Sequence, residues 1–340
     1  MLLTARSSRR LPAVTLALAL LGACVPKDPA PAPAIPPAAA ATEAEHTAAS
    51  PPAQLAPPLT RSQVDVEGHP ITVWSKHAER PWGVVVLVHG RTWSARPDFD
   101  LRVEGIDTVP TRSLMDMLVA EGLTVYAIDQ RGYGDTPRDD TGWLTTERAV
   151  ADLAAVLQWV RSKHPGQPPP ALLGWSLGSL ISQLTAQQHP DLLSTLILYG
   201  YPRRPGQEYP PDPVPLPPPA MAATTAEAAA EDFIIPGSIS QAGIDAFVKA
   251  ALAADPVRMD WRANEQWAAL DPTAVHTPTL VIHGERDPYA PVANQAELFS
   301  LLGTPDRAWV IVANGDHAAH LEDNGSRFVH AVVQFLRRPR

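Results

Sequence analysis

The chain has 340 residues, a formal net charge of −9 and a single cysteine. No basic stripe interleaved with aromatic residues is present, so nucleic acid is excluded as an expected partner, and one cysteine rules out an internal disulfide. About 280 residues remain after the N-terminal segments, enough for one large domain with a buried core.

The N-terminus has the pattern of an export signal. Arg6, Arg9 and Arg10 precede an apolar run from Leu11 to Leu21, shorter than the about 20 residues that span a bilayer. The run ends in LGAC at Cys24, which resembles the lipobox of bacterial lipoproteins and implies cleavage before the cysteine and its acylation. We therefore expect a signal peptide over residues 1–23 and an exported cell-envelope lipoprotein, attached to the membrane through Cys24. The lack of an aspartate directly after Cys24 favours the outer membrane, and an ordinary secretory signal with an incidental cysteine is the alternative.

The next segment, residues 24–60, is predicted to be a lipid-anchored linker. From Val25 to about Pro58 it is mostly Pro and Ala without apolar periodicity, so it cannot bury enough surface to fold. The remainder divides into a first core part over residues 61–200, an insertion over 201–273 and a second core part over 274–340.

Strand and helix patterns alternate through the two core parts. An opening hairpin is predicted from Ser62–Val66 and Ile71–Ser75, with its turn at 68–70. Further strands are predicted over Gly83–Val88, Leu123–Ile128, Ala171–Trp175, Ser194–Leu198, Thr279–Gly284 and Ala308–Val312. Helices are predicted over Thr111–Glu121, Thr145–His164, Leu177–His189, Val292–Leu302 and Gly325–Leu336. This alternation predicts an α/β fold with a mostly parallel sheet, helices on both faces and a site at the carboxyl ends of the strands.

A G-x-S-x-G motif, GWSLG at residues 174–178, joins a predicted strand to a predicted helix. A serine on so sharp a turn exposes its hydroxyl, and the glycines allow the close approach of strand and helix. Taken alone, the motif also fits a chance glycine-serine turn. In this context it predicts Ser176 as a nucleophile.

Two later strand ends supply partners for a serine nucleophile. Asp287 follows the strand at Thr279–Gly284, and His317 follows the strand at Ala308–Val312. Histidine accepts the serine proton and returns it to the leaving group, while aspartate orients the imidazole. Read singly, each residue also fits a solvated surface loop. The backbone N–H groups of Arg91 and Leu177 are the predicted oxyanion hole.

These segments together resemble the α/β-hydrolase superfamily over about residues 61–340. The matching residues are HG at 89–90, DQRGYGDT at 129–136, GWSLG at 174–178, GERD at 284–287 and GDHAAHLE at 315–322. The resemblance implies an α/β-hydrolase fold with a Ser176–His317–Asp287 triad. Two departures are Thr136, where relatives carry serine, and Arg91, which places a charge at the mouth of the site.

The alternation stops in the insertion over residues 201–273. Its first part is rich in proline, and helices are predicted over Thr224–Phe233 and Gln241–Ala254. In this fold such an insertion is usually a helical cap over the nucleophile, and we expect it to line a substrate pocket and exclude water. A surface excursion without a role in the site is the alternative.

The sequence therefore predicts a serine hydrolase that cleaves carboxylic esters through an acyl-enzyme, with a small-molecule ester or amide as substrate. One alternative is a prolyl- or aminopeptidase-type serine peptidase, whose substrate amine would need a carboxylate such as Glu208, Glu227, Glu231 or Asp232. Another is a non-catalytic binding protein on the same fold. No cofactor and no metal are expected, since the H-x-x-H spacing of His317 and His320 is not specific for metal. His320 is the reserve general base, and the sequence leaves the oligomeric state open.

Overall fold

The computed structural model describes residues 57–103 and 111–339. The predicted signal peptide, Cys24 and the predicted linker up to residue 56 lie outside these residues. Across the described ranges, every helix is too short or too polar to cross a membrane.

An eight-stranded sheet forms the centre of the described chain. The ten strands in chain order are β1 (Thr60–Val66), β2 (His69–Lys76), β3 (Gly83–Val88), β4 (Leu123–Ile128), β5 (Trp143–Thr145), β6 (Ala171–Trp175), β7 (Thr195–Tyr199), β8 (Asp260–Arg262), β9 (Thr279–Gly284) and β10 (Arg307–Val312). The central sheet has the order β1-β2-β4-β3-β6-β7-β9-β10. Only the β1–β2 and β2–β4 pairs are antiparallel. The predicted mostly parallel sheet is confirmed.

Helices cover both faces of this sheet. In chain order they are α1 (Ala95–Phe99), α2 (Leu114–Ala120), α3 (Thr146–Lys163), α4 (Leu177–Gln188), α5 (Ala226–Ala230), α6 (Gln241–Ala254), α7 (Val292–Leu301) and α8 (Gly325–Arg337). One apolar layer contains the inner faces of α3 and α4, and the other contains those of α2 and α8. The central strands are apolar along their whole length because both of their faces are buried.

The structure differs from the sequence prediction mainly where turns and short elements form. The first hairpin turns at Glu67 and Gly68, which have φ of 54° and 83°, so that residues 69–70 already belong to β2. Helix α2 starts at Leu114 because the side chain of Ser113 accepts the N–H of Asp116 and caps the helix. The parallel pair β5–β8 was not predicted, since three-residue strands leave almost no pattern.

The order of the strands in the sheet determines where the candidate site lies. Strands β3, β6, β7, β9 and β10 are consecutive neighbours and all run parallel. Parallel neighbours end at the same edge of a sheet. The loops after β3, β6, β9 and β10 carry Arg91, Ser176, Asp287 and His317, so residues far apart in sequence meet at one edge.

Candidate active site

Ser176 stands on a strained turn between β6 and α4. Its φ and ψ are 54° and −123°, a left-handed conformation that a residue with a side chain rarely adopts. The N–H of Ser176 donates to the carbonyl of Tyr199 at 2.9 Å. A Cβ at Gly174 would lie 2.2 Å from the carbonyl oxygen of Gly178, and a Cβ at Gly178 would lie 2.3 Å from that of Val88. The turn therefore requires glycine at both motif positions, and the serine side chain points away from the sheet.

Asp287 and His317 form a direct hydrogen bond. His317 Nδ1 lies 2.8 Å from Asp287 Oδ2, and both side chains are buried. The other carboxylate oxygen, Oδ1, accepts the backbone N–H groups of Tyr289 at 2.9 Å and Ala290 at 3.1 Å. An ionised carboxylate only accepts hydrogen bonds, so the proton of the neutral imidazole must be on Nδ1. Nε2 is then left as the acceptor.

The backbone of His317 is held from the neighbouring strands. Its carbonyl accepts two bonds of 2.8 Å, from Trp175 Nε1 and from the hydroxyl of Tyr199. Gly200 has a φ of 55°, and a Cβ there would lie 3.0 Å from the imidazole Cε1. The imidazole ring therefore packs against Gly200, and a larger residue at that position would displace the ring.

Ser176 and His317 line one cleft of 340 Å³. Both residues belong to the described part of the chain, and no hydrogen bond joins Ser176 Oγ to His317 Nε2. In unliganded enzymes such bonds are often long and shorten when substrate binds. A separate depression of 430 Å³ lies beside the end of α3 and contains none of the predicted site residues.

Hydrogen bonds from neighbouring segments hold the loop after β3 in place. The N–H of Gln130 donates to His89 Nε2 at 3.1 Å, so the neutral ring carries its proton on Nδ1 and donates to the carbonyl of Gly90 at 2.9 Å. Burial lowers the pKa of His89 to about 4, in agreement with a neutral ring. The hydroxyl of Tyr133 donates to the carbonyl of Arg91 at 2.5 Å and accepts Trp261 Nε1 at 2.8 Å. The peptide that would present an N–H to an oxyanion is thus preorganised.

The two predicted oxyanion donors are free. Leu177 is the first residue of α4, where helical N–H groups have no partner within the helix. Among the residues that the structure describes, neither its N–H nor that of Arg91 donates to any acceptor. Both residues line the cleft beside Ser176, and a Cβ on Gly90 would lie 3.4 Å from the Ser176 Cβ. Both N–H groups are therefore available to donate hydrogen bonds to an oxygen atom of a ligand.

His320, the reserve base, lies away from the cleft. Its side chain is fully buried, with Nδ1 3.1 Å from the hydroxyl of Tyr199 and Nε2 2.8 Å from the carbonyl of Asp98. Burial lowers its pKa to about 3. Both ring nitrogens are occupied, so His320 packs behind the site and cannot reach Ser176. Within the described ranges, no group of three or more His, Cys, Asp or Glu residues is arranged to hold a metal ion.

Thr136 occupies the position at which the resemblance predicts serine. Its hydroxyl donates to the carbonyl of Asp129 at 2.7 Å and accepts the N–H of Thr72 at 2.8 Å. A serine hydroxyl makes the same two bonds, so this departure does not alter the loop.

The insertion supplies one wall of the cleft, through Pro202, Tyr209, Asp232, Arg258, Asn264 and Trp267. Two carboxylates attach it to the core. Asp255 of the insertion accepts N–H groups of Ser94 and Gly134, both at 2.8 Å. In the other direction, Asp316 accepts the N–H groups of Ile234 and Ile235 at 2.7 and 3.1 Å. The residue next to His317 thereby fixes the insertion over the site.

Sequence reasoning missed two charged residues of the cleft and named a third only as one of several candidates. Asp98 and Arg258 carried no recognisable signal, and Asp232 was one of four acidic candidates of which the other three are exposed and lie off the cleft. Burial raises the pKa of Asp98 well above its usual range, and the neighbouring carboxylates of Asp232 and Asp255 raise it further. Burial also raises the pKa of Asp232 to about 6, although His317 and the indole N–H of Trp93 oppose the shift.

Comparisons with known proteins agree with this architecture. A family model described as serine aminopeptidase, S33, matches residues 106–324. No curated protein sequence matches the chain. A thermophilic esterase from Thermogutta terrifontis is 20% identical with a TM-score of 0.59, over 82% of this chain and 98% of the esterase. An alpha/beta hydrolase fold protein from Chitinophaga pinensis is 18% identical with a TM-score of 0.58, over 84% of this chain and 99% of that one. These similarities confirm the predicted fold.

Proposed function

Because the chain belongs to the serine aminopeptidase S33 family of hydrolases, we propose that it is a serine hydrolase that cleaves carboxylic esters through an acyl-enzyme. One observation carries the proposal. A serine on a strained turn, a histidine bonded to a buried aspartate and two free backbone N–H groups meet at one cleft. Each group matches a requirement of acyl transfer.

The mechanism follows from the positions of these groups. His317 Nε2 takes the proton of Ser176 Oγ as the oxygen attacks the ester carbonyl carbon, and the carbonyl oxygen becomes an anion bound by the N–H groups of Arg91 and Leu177. When the tetrahedral intermediate collapses, the imidazolium returns that proton to the departing alcohol and the acyl group stays on Ser176. Water then attacks the acyl-enzyme by the same route, and Asp287 stabilises the imidazolium in both halves.

A peptidase acting on a free amino terminus is the second candidate, and Asp232 favours it. This carboxylate lies in the cleft and accepts Trp93 Nε1 at 2.6 Å. A protonated substrate amine would, however, also face the guanidinium groups of Arg91 and Arg258 in the same cleft. These like charges oppose the binding of an ammonium group, so we favour an ester over an aminoacyl amide.

The proposed location is the cell envelope, with a signal peptide over residues 1–23, lipid on Cys24 and a linker up to residue 60. The support is the sequence pattern alone: a basic start, a short apolar run and a cysteine at its end. The location is independent of the hydrolase assignment.

The test is hydrolysis of a panel of p-nitrophenyl esters, lactones and aminoacyl amides by wild type and Ser176→Ala. We expect turnover of esters, with kcat at least about 100-fold lower in the variant because the triad has lost its nucleophile. Fluorophosphonate should label wild type and not Ser176→Ala. Persistent labelling of another serine contradicts the nucleophile, a preference for aminoacyl amides favours the peptidase, and no turnover of any substrate favours a binding protein.

A further inference from the structure

Two arginines line the cleft without a counter-ion. Arg91 comes from the loop after β3, and Arg258 comes from the insertion just before β8. Neither guanidinium forms an ion pair with any carboxylate of the described ranges. Other arginines of the same region are paired, such as Arg131 with Asp152 and Arg138 with Asp260. Both residues are solvent-exposed, so they present two uncompensated positive charges at the cleft of a chain whose net charge is −9.

The two arginines also act on each other. Partial burial lowers the pKa of Arg91, and the positive charge of Arg258 lowers it further. Two like charges at one cleft destabilise the unliganded protein. An anion bound between them would remove that repulsion.

The acidic groups that face the cleft do not fill this role. The carboxylate of Asp232 accepts Trp93 Nε1–H. It forms no ion pair with either arginine, although Arg258 is near enough for its charge to lower the pKa of that carboxyl. Burial raises the pKa of Asp98 well above its usual range, which favours the neutral form of this carboxyl. Asp255 lies outside the lining of the cleft and accepts two backbone N–H groups. Among the charged side chains of the cleft that the structure describes, only the guanidinium groups of Arg91 and Arg258 form neither an ion pair nor a hydrogen bond.

We propose that Arg91 and Arg258 bind an anionic group of the substrate, a carboxylate or a phosphate, so that the enzyme prefers esters that carry a negative charge near the scissile bond. Guanidinium groups bind both anions through paired N–H donors. Asn264 lines the same wall and offers a neutral donor. The inference rests on the proposed ester hydrolysis and names its substrate class.

The test compares substrates of equal length that differ in charge. In the first pair, mono-p-nitrophenyl adipate carries a carboxylate on the acyl side and p-nitrophenyl hexanoate is its neutral counterpart. In the second pair, 4-carboxyphenyl acetate carries a carboxylate on the leaving group and phenyl acetate is its neutral counterpart. Wild type should prefer the anionic member of at least one pair. In Arg258→Gln that preference should fall about tenfold, through KM, as expected for the loss of one charge-assisted hydrogen bond. Arg327→Gln removes the same charge from the exposed surface of α8 and should keep the preference.

Other readouts separate the possible failures. Binding of the adipate monoester to Ser176→Ala, measured by calorimetry, should weaken about tenfold when Arg258→Gln is added. Inhibition of hexanoate ester hydrolysis by acetate or by inorganic phosphate identifies the preferred anion. Equal losses on neutral and anionic esters in Arg258→Gln would mean that the arginine only balances Asp232, and the proposal would be wrong. Turnover without preference overturns the anion site alone, whereas binding without turnover overturns the proposed hydrolysis alone.

Discussion

Asp287→Asn is the sharpest test of the site, because the structure fixes how the new side chain must lie. Asp287 Oδ1 accepts two backbone N–H groups, from Tyr289 and Ala290. Only the oxygen of the new amide can take that position, so its NH₂ must face His317 Nδ1. Two N–H groups cannot hydrogen-bond to each other, and the imidazole proton therefore moves to Nε2. In that tautomer Nε2 cannot accept the proton of Ser176.

The expected loss follows from the wrong tautomer and from the missing negative charge next to the imidazolium. A comparable substitution in a serine protease triad costs about 10⁴ in kcat, and we expect about 10³ to 10⁴ here. At 1.36 kcal/mol per factor of ten, this is about 4 to 5 kcal/mol of transition-state stabilisation. Because the backbone bonds to Oδ1 are kept, the fold should lose no more than about 1 to 3 kcal/mol.

The assay is the steady-state hydrolysis of p-nitrophenyl esters, with circular dichroism and thermal unfolding on the same samples. Asp323→Asn is the matched control, because it makes the same chemical change on a carboxylate whose side chain is 65% exposed. The control should keep wild-type kcat. If folded Asp287→Asn protein kept more than a tenth of wild-type kcat, Asp287 would not be the residue that orients His317.

Three further predictions concern other parts of the chain. His317→Ala should lower kcat by about 10³ or more, whereas His320→Ala should mainly lower the Tm, because it leaves buried partners unpaired. For Asp232, the native pKa of about 6 exceeds the ordinary 3.8, so the native state binds more protons than the unfolded state between these pH values. The free energy of unfolding should therefore fall by about 2 kcal/mol from pH 4 to 6 through this group, and urea titrations should show that Asp232→Asn removes this decline. Finally, Cys24→Ser should release the protein from the membrane fraction, and mass spectrometry should find acylated Cys24 only in wild type.

Each of these predictions has a contrary result. A larger loss of kcat in His320→Ala than in His317→Ala would reassign the general base. The same pH slope in wild type and Asp232→Asn would show that other carboxyl groups cause it. Wild-type protein found wholly in the soluble fraction, or an unmodified Cys24, would disprove the lipid anchor and leave the hydrolase assignment untouched.

Local sequence patterns were enough to predict the sheet and the strand ends that carry Ser176, Asp287 and His317. Runs of apolar, β-branched residues indicate buried parallel strands, and parallel neighbours bring their carboxyl ends together. The glycines of GWSLG indicated a close approach of backbones, which the structure shows at 2.2 and 2.3 Å for Cβ atoms built on Gly174 and Gly178. These features depend on residues close in sequence, so the chain alone determined them.

Contacts across the fold decided the rest. His317 and His320 are equivalent by spacing, and only packing shows that one is bonded to Asp287 in the cleft and the other is enclosed behind it. Asp232 and Arg258 reach the cleft because the insertion folds back over the sheet edge and is attached there by Asp255 and Asp316. The local hydrophobic pattern of a long insertion does not predict where the insertion will pack, because packing depends on surfaces that exist only after the core has formed. The sequence by itself therefore determined the fold and the predicted nucleophile, base and acid. The tertiary structure decided which charged residues lie beside them in the cleft.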